Sequence, residues 1–183
     1  VEHPGGIGIV IGDVCDKGLG AALFMTLFRS LIRSISVHRS LVGPDSGQQP
    51  EDVLKQAIRL TNRYIATTHG SSNMFASVFF GLLIPETGEL HYINAGHEAP
   101  LIIGPSGIRK LLGTTGPVVG LFEEAPYSVD MALIEPGELL LAYTDGATDA
   151  KDPHGNGFGE EAVHALASCG AASSEALDRK SVV

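Results

Sequence analysis

The stretch Ile7-Gly8-Ile9-Val10-Ile11-Gly12-Asp13-Val14-Cys15-Asp16-Lys17-Gly18-Leu19-Gly20 decides how the chain reads. Ile7 to Ile11 is a short β-branched apolar run closed by Gly12-Asp13, the pattern of a buried strand, and it delivers Asp13 to the strand's C-terminal end. From Gly18 the period changes. Leu23, Leu27 and Leu31, with Phe24, Phe28 and Ile35, share one face, and Thr26, Arg29, Ser30 and Arg33 share the other. This predicts an amphipathic helix of about five turns. His38 and Arg39 suit its negative C-terminal end. The acidic turn between strand and helix has two readings. A carboxylate fixed by a strand can hold a hard divalent cation, with water and a backbone carbonyl completing the shell. Alternatively, Asp16 caps the helix and Asp13 sits in a turn.

Outward from this segment, Leu41 to Gln49 is rich in Gly, Pro, Ser and Gln and reads as a loop. Pro50-Glu51-Asp52 opens a second helix, continued along one face by Val53, Ala57, Leu60 and Tyr64. Met74 to Ile84 reads as a strand, Pro85-Glu86-Thr87-Gly88 as a turn and Glu89 to Ala95 as the returning strand of a hairpin. Further strands are expected at Pro100 to Ile103, Tyr127 to Ile134 and Glu138 to Tyr143, with Glu135-Pro136-Gly137 turning between the last two, and a helix from about Phe158. Helices and antiparallel strands segregate along the chain, which predicts an α+β fold rather than repeating βαβ units.

The chain has 183 residues, 12 Lys+Arg against 21 Asp+Glu for a net charge of -9, and 44% hydrophobic residues. That is the size of one domain, able to bury roughly 70% of its unfolded surface without disulfide or metal staples. No apolar run reaches the roughly 18 residues of a membrane span. Acidic balance disfavours nucleic acid, which needs clustered Lys and Arg. Cys15 and Cys169 lack CxxC spacing, and a reducing, cytoplasmic setting is the expectation. The chain begins at Val1 and enters a strand almost at once, which reads as an internal piece of a longer protein. Asp178-Arg179-Lys180-Ser181-Val182-Val183 is out of character with the helix before it and reads either as a non-native tail or as an ordinary polar terminus.

Two further constellations carry polar side chains to strand ends. Tyr143-Thr144-Asp145-Gly146-Ala147-Thr148-Asp149 follows the apolar run Leu139 to Ala142. Two strands each presenting an Asp are what a two-cation site requires, although a polar strand end before a turn looks the same. In Asn94-Ala95-Gly96-His97-Glu98-Ala99-Pro100, His97 is either a hydrogen-bonded structural residue or a ligand. The seven histidines show no HxxxH or HExxH pairing, which disfavours a zinc hydrolase. Gly6-x-Gly8 and Gly18-x-Gly20 lack complete nucleotide-binding spacing, and no Asp-x-Asp follows a strand as in phosphohydrolases with an Asp nucleophile. Cys15, beside carboxylates, is expected to be a small packed residue.

In order along the chain, Gly12-Asp13-Val14-Cys15-Asp16-Lys17-Gly18-Leu19-Gly20-Ala21-Ala22-Leu23-Phe24-Met25, Met74-Phe75-Ala76-Ser77-Val78-Phe79, Tyr92-Ile93-Asn94-Ala95-Gly96-His97, Tyr143-Thr144-Asp145-Gly146 and Phe158-Gly159-Glu160-Glu161 resemble the SpoIIE/RsbU branch of the PPM (PP2C-like) metal-dependent protein serine/threonine phosphatases. Several ordered motifs are far more specific than any one of them. The resemblance implies an α-β-β-α sandwich of two antiparallel sheets flanked by helices, occupying residues 1 to 177 and truncated at both ends, with two Mn²⁺ or Mg²⁺ ions at one end. It casts Asp13 as the bridging carboxylate, Val14 as the carbonyl donor and Asp145 as a further ligand, with Asp13 and Asp145 the catalytic pair. Asp16, Gly146 and Asn94 would stand behind the ligands. Val14 stands where many relatives have Gly, which matters little if its carbonyl is used, and Cys15-Asp16 replaces a common Ser-Gly.

An acidic Gly-Gly-Asp strand before Ile7 and an Asp-Asp-x-Thr strand after the last helix, each bringing a metal ligand in the family, are not within residues 1 to 183. The activity implied is hydrolysis of phosphoserine or phosphothreonine by metal-activated water. The implied substrate is a phosphorylated regulatory protein of the anti-sigma-factor antagonist type. A sensor domain upstream in the parent and a homodimer are further expectations. The competing expectation is a PPM-like binding module without a working metal site.

Overall fold

A computed structural model describes residues 2–3, 6–15, 19–40, 49–69, 74–151, 155 and 157–168. Asp16, the helix start at Gly18, the loop 41–48, the side chains of Ile35, His38 and Arg39, Cys169 and the tail 178–183 lie outside what is described. The described residues form two compact units, one of 1–97 with 114–133 and one of 98–113 with 134–183. Each unit is assembled from separate stretches of chain, so no linker marks them in the sequence.

In the first unit β1 (Glu2–His3), β2 (Gly6–Val14), β3 (Ala76–Ile84), β4 (Glu89–Ala95) and β7 (Asp130–Leu133) form an antiparallel sheet in the order β1-β2-β3-β4-β7. The hairpin expected around Pro85 to Gly88 is present as β3 and β4. β2 extends further than expected and is less enclosed: Ile7 and Val10 are 45% and 39% exposed, because among the described residues its outer flank meets only the two-residue β1. α1 (Leu19–Ser40) and α2 (Pro50–His69) cover one sheet face.

Their buried stripes differ from the expected ones. In α1 the core row is Ala21, Phe24, Phe28 and Ile32, while Leu23 is 63% exposed. The four-residue step from Phe24 centres the face, and Leu23 falls off its edge. In α2 the row from Val53 and Ala57 continues to Thr61 and Ile65, alongside Leu54, Ile58 and Asn62; Leu60 and Tyr64 are exposed. The polarity of Thr61 and Asn62 hides this stripe in the sequence.

In the second unit β6 (Gly107–Leu111), β5 (Leu101–Gly104) and β8 (Leu139–Leu141) form an antiparallel sheet in that order. α3 (Asp145–Thr148) and α4 (Gly159–Ser168) follow, and Val163 and Ala167 pack with Leu101, Ile103 and Tyr143. β6 is an addition to the expected strands; Gly104-Pro105-Ser106-Gly107 is the turn that announces it, with Gly107 at φ +107°. The Glu135-Pro136-Gly137 turn does not make a hairpin. β7 pairs with β4 and β8 with β5, so the two strands it joins belong to different sheets.

Arg109 of β6 forks onto the Glu138 carboxylate, Nη2 to Oε2 being 2.6 Å, and Glu138 Oε2 also accepts the Glu135 N–H at 2.8 Å. The guanidinium hydrogen bond, aided by that N–H, holds the Glu138 carboxyl below its ordinary value of 4.5. A depressed folded value means that the pair stabilises the fold above the unfolded value and that this contribution is lost as pH falls through the folded one. Glu138→Gln is therefore expected to lower the denaturation midpoint at neutral pH and to flatten its decline below pH 4.5, an effect read by urea titrations at a series of pH values. Equal midpoints for both proteins at neutral pH would remove the pair from the stability account.

Candidate metal and catalytic centre

The β2–β3 register sets Asp13 opposite Ser77 and Val14 opposite Ala76. Side chains alternate across a strand, and Val14, Ala76, Val78, Ile93 and Ala95 all point to the helix-covered core. Asp13 and Ser77 therefore share the opposite face. Cys15 N–H donates to the Phe75 carbonyl at 3.1 Å, which puts the 15/75 pair in the hydrogen-bonded class of the antiparallel ladder. Val14, one residue out of phase, turns its carbonyl away from β3. The end of β2 thus carries a carboxylate and, on the neighbouring residue, a carbonyl that β3 does not use. Cys15 is exposed rather than packed, because the strand has ended there; its Sγ accepts the Phe75 N–H at 3.4 Å.

A hydrogen-bonded lattice backs this corner. Ser77 Oγ lies 2.9 Å from Nδ1 of the buried His97. His97 N–H donates to Asn94 Oδ1 at 2.8 Å. Asn94 N–H donates to Thr115 Oγ1, and the Asn94 carbonyl accepts the N–H groups of Thr115 and Gly116. Asn94 is fully buried and ties the end of β4 to both the His97 turn and the 115–116 segment. Gly96, at φ +71°, is required here: an added Cβ would stand 2.7 Å from Val118 Cγ1. The hydrogen-bonded reading of His97 is the one this geometry fits. Ser77 and Thr115 carry no role in the sequence reading. Ser77's signal is a hydroxyl inside an otherwise apolar strand, one whose partner emerges only with the register.

Asp145 and Gly146 lie in the second unit, at the start of α3. Thr144 is the N-cap in extended conformation, and the Asp145 carbonyl accepts the Asp149 N–H at 2.7 Å and the Thr148 hydroxyl at 2.9 Å. The Asp145 backbone is thus held by one helical turn while its side chain is exposed. Burial, then the charges of Glu160 and Glu98, push the Tyr143 hydroxyl upward, so it stays a neutral phenol two residues before Asp145.

Carboxylate and carbonyl oxygens are the hard donors that Mg²⁺ and Mn²⁺ take, so Asp13 and Val14 fit the implied cation. Among the described residues no three His, Cys, Asp or Glu side chains gather around one point. Nor is any described helix long and apolar enough to cross a membrane.

The family model for Stage II sporulation protein E (SpoIIE) matches residues 3–180. The chain is 44% identical to Protein IcfG of Synechocystis sp. (strain ATCC 27184 / PCC 6803 / Kazusa), over 85% of this chain and 27% of that protein. It is 25% identical to Phosphoserine phosphatase RsbU of Bacillus subtilis (strain 168), over 85% of this chain and 43% of that protein. The chain thus spans less than half the length of these curated relatives. Among solved structures, the SiaA-PP2C domain of Pseudomonas aeruginosa superposes with a TM-score of 0.77 at 17% identity, covering 98% of this chain and 68% of that one. This similarity establishes the α+β fold of the PPM (PP2C) type, and with the matched motifs it places the chain in the SpoIIE/RsbU branch of that fold. The chain belongs to the SpoIIE family.

Proposed function

We propose that the chain is the phosphatase domain of a metal-dependent protein serine/threonine phosphatase. It would release phosphate from phosphoserine or phosphothreonine on a regulatory protein of the anti-sigma-factor antagonist type. The observation that carries this reading is the end of β2, where Asp13 and the Val14 carbonyl present hard oxygen donors beside the Ser77–His97–Asn94 lattice. Similarity to a phosphoserine phosphatase over 85% of the chain supports it. Asp13, Val14 and Asp145 would hold two Mn²⁺ or Mg²⁺ ions, with Asp16, Gly146 and Asn94 behind them. Bound there, such ions neutralise phosphoryl charge and supply a water of lowered pKa. The chain's own part is positional. β2 fixes Asp13 through a paired backbone, and Asn94 and His97 hold the adjoining strand ends against movement. A sensor domain upstream in the parent, which the length of the relatives beyond the matched stretch supports, belongs to the same reading, as does a homodimer.

The test is release of inorganic phosphate from a phosphoserine peptide by the full-length parent, with Mn²⁺ and with a chelator. Turnover that needs the cation is expected; none under any divalent cation would overturn the reading. A second reading, a PPM-like binding module without a working centre, is favoured by the lack of a three-ligand cluster among the described residues. Cation-dependent turnover in the parent excludes it.

A further inference from the structure

α2 presents Lys55, Arg59 and Arg63 at successive four-residue steps, a basic stripe on a chain whose net charge is -9. The two outer members are matched by carboxylates: Lys55 Nζ lies 3.7 Å from Glu51 and Arg63 Nη2 lies 3.2 Å from Glu124. Arg59, between them, has no carboxylate partner among the described residues. It stands where two depressions meet. One, of about 570 Å³, is balanced in charge, with Asp52, Glu123 and Glu124 against the three bases. The other, of about 490 Å³, runs from Arg59 along Thr115, Gly116, Pro117, Pro126 and Ser128 and has no acidic side chain among the described residues.

This second groove is built rather than incidental. Its far wall is held to the sheet by the Ala95–Gly116 and Ala76–Val119 bridges and to α2 by Asn62, while two prolines stiffen it. Its volume lies within the roughly 300–1,000 Å³ of ligand sites. The same bridges fix its position, since Ala76 is the cross-strand partner of Val14. The bridged segment 116–119 is thereby fixed at the same end of the sheet as Val14.

We propose that this groove docks an acidic peptide segment of a protein partner, one of its carboxylates pairing with the Arg59 guanidinium. On the phosphatase reading, on which this inference rests, the partner is the phosphoprotein and the segment is a docking element distinct from the phosphorylated residue. A planar guanidinium recognises a carboxylate bidentately, which gives direction as well as charge, and the negative field of the rest of the chain confines an acidic partner to this stripe.

The test uses a fluorescein-labelled hexapeptide, Gly-Glu-Leu-Glu-Glu-Gly, and its Gln counterpart, with binding read by fluorescence polarisation at low salt. The Glu peptide is expected to bind more tightly than the Gln peptide. Arg59→Ala should weaken it about tenfold, whereas Arg33→Ala, which removes the same charge from α1, should change it less than about twofold. Arg59→Lys should recover only part of the affinity. Equal loss in Arg33→Ala and Arg59→Ala, or equal affinity for the Gln peptide, overturns the proposal. Arg59→Ala is also expected to leave metal-dependent hydrolysis of a small phosphoester unchanged. Peptide binding without any phosphoester hydrolysis in the parent would refute the phosphatase reading and leave the groove standing, and hydrolysis without Arg59-dependent binding would do the reverse.

Discussion

Asp13→Asn in the full-length protein is expected to remove Mn²⁺-dependent phosphate release, by on the order of 10³-fold or more, since charge stabilisation by a bound cation contributes several kcal/mol to such transition states. The substitution is nearly isosteric, and the β2–β3 ladder holds residue 13 by its backbone, so stability should stay within about 0.5 kcal/mol of the parent. Loss of turnover with an unchanged denaturation midpoint is the signature, and weaker Mn²⁺ binding by calorimetry in Asp13→Asn should accompany it. Asp145→Asn should act the same way, because α3 is held by the carbonyl of Asp145 and not by its carboxylate. Val14→Ala separates carbonyl from side chain: it trims the core but keeps the donor oxygen, so turnover should survive. Retention of more than about a tenth of parental turnover in Asp13→Asn would contradict the several kcal/mol assigned to the cation and remove Asp13 from the centre.

The sequence shows this corner more clearly than it shows the walls around it. A β-branched run ending in Gly-Asp announces both the strand and the carboxylate at its end, because strand alternation and turn chemistry are local properties. The β3–β4 hairpin is legible for the same reason: Pro85-Glu86-Thr87-Gly88 fixes the reversal within four residues. What local pattern cannot carry is which residue faces which across the sheet. Ser77 reads as one more strand residue until the register sets it opposite Asp13 and within 2.9 Å of His97. Nor does a Pro-Gly turn say whether the strands it joins will pair, and Glu135-Pro136-Gly137 links strands of different sheets. Helix faces fail where polar residues are buried. Leu60 and Tyr64 look like core, and Thr61 and Asn62 take that place because the hydrogen bonds of Asn62 are met by a segment some sixty residues away.

Asn62→Ala is the substitution for which the largest loss of stability is expected, about 2–4 kcal/mol by urea denaturation. Asn62 is 1% exposed and uses its whole hydrogen-bonding capacity on one loop. Its Nδ2 donates to the carbonyls of Phe122 at 2.8 Å and Glu123 at 3.1 Å, and its Oδ1 accepts the Gly120 N–H at 2.8 Å and the Tyr127 hydroxyl at 3.1 Å. Truncation leaves the Gly120 donor buried without a partner. Unmet buried groups cost about 1–3 kcal/mol each, which outweighs the small gain from burying a methyl group. Relief by movement is limited. Gly120 sits at φ +96° with space for a Cβ closed by Ile65 Cγ2 at 2.5 Å, so the loop is pressed against α2. Tyr127 can turn toward the Val118 carbonyl at 3.5 Å, which keeps the total below the sum of the separate losses. Burial pushes the Tyr127 hydroxyl upward, so it stays a neutral donor across the working range and the loss should not vary with pH. Asn62→Asp distinguishes hydrogen bonding from packing: it keeps the acceptor and the volume but gives up both donors and places a charge in the core, so it should be at least as destabilising as Asn62→Ala. A loss below about 1 kcal/mol for Asn62→Ala would mean that water replaces the missing amide and that the loop is not fastened through this residue.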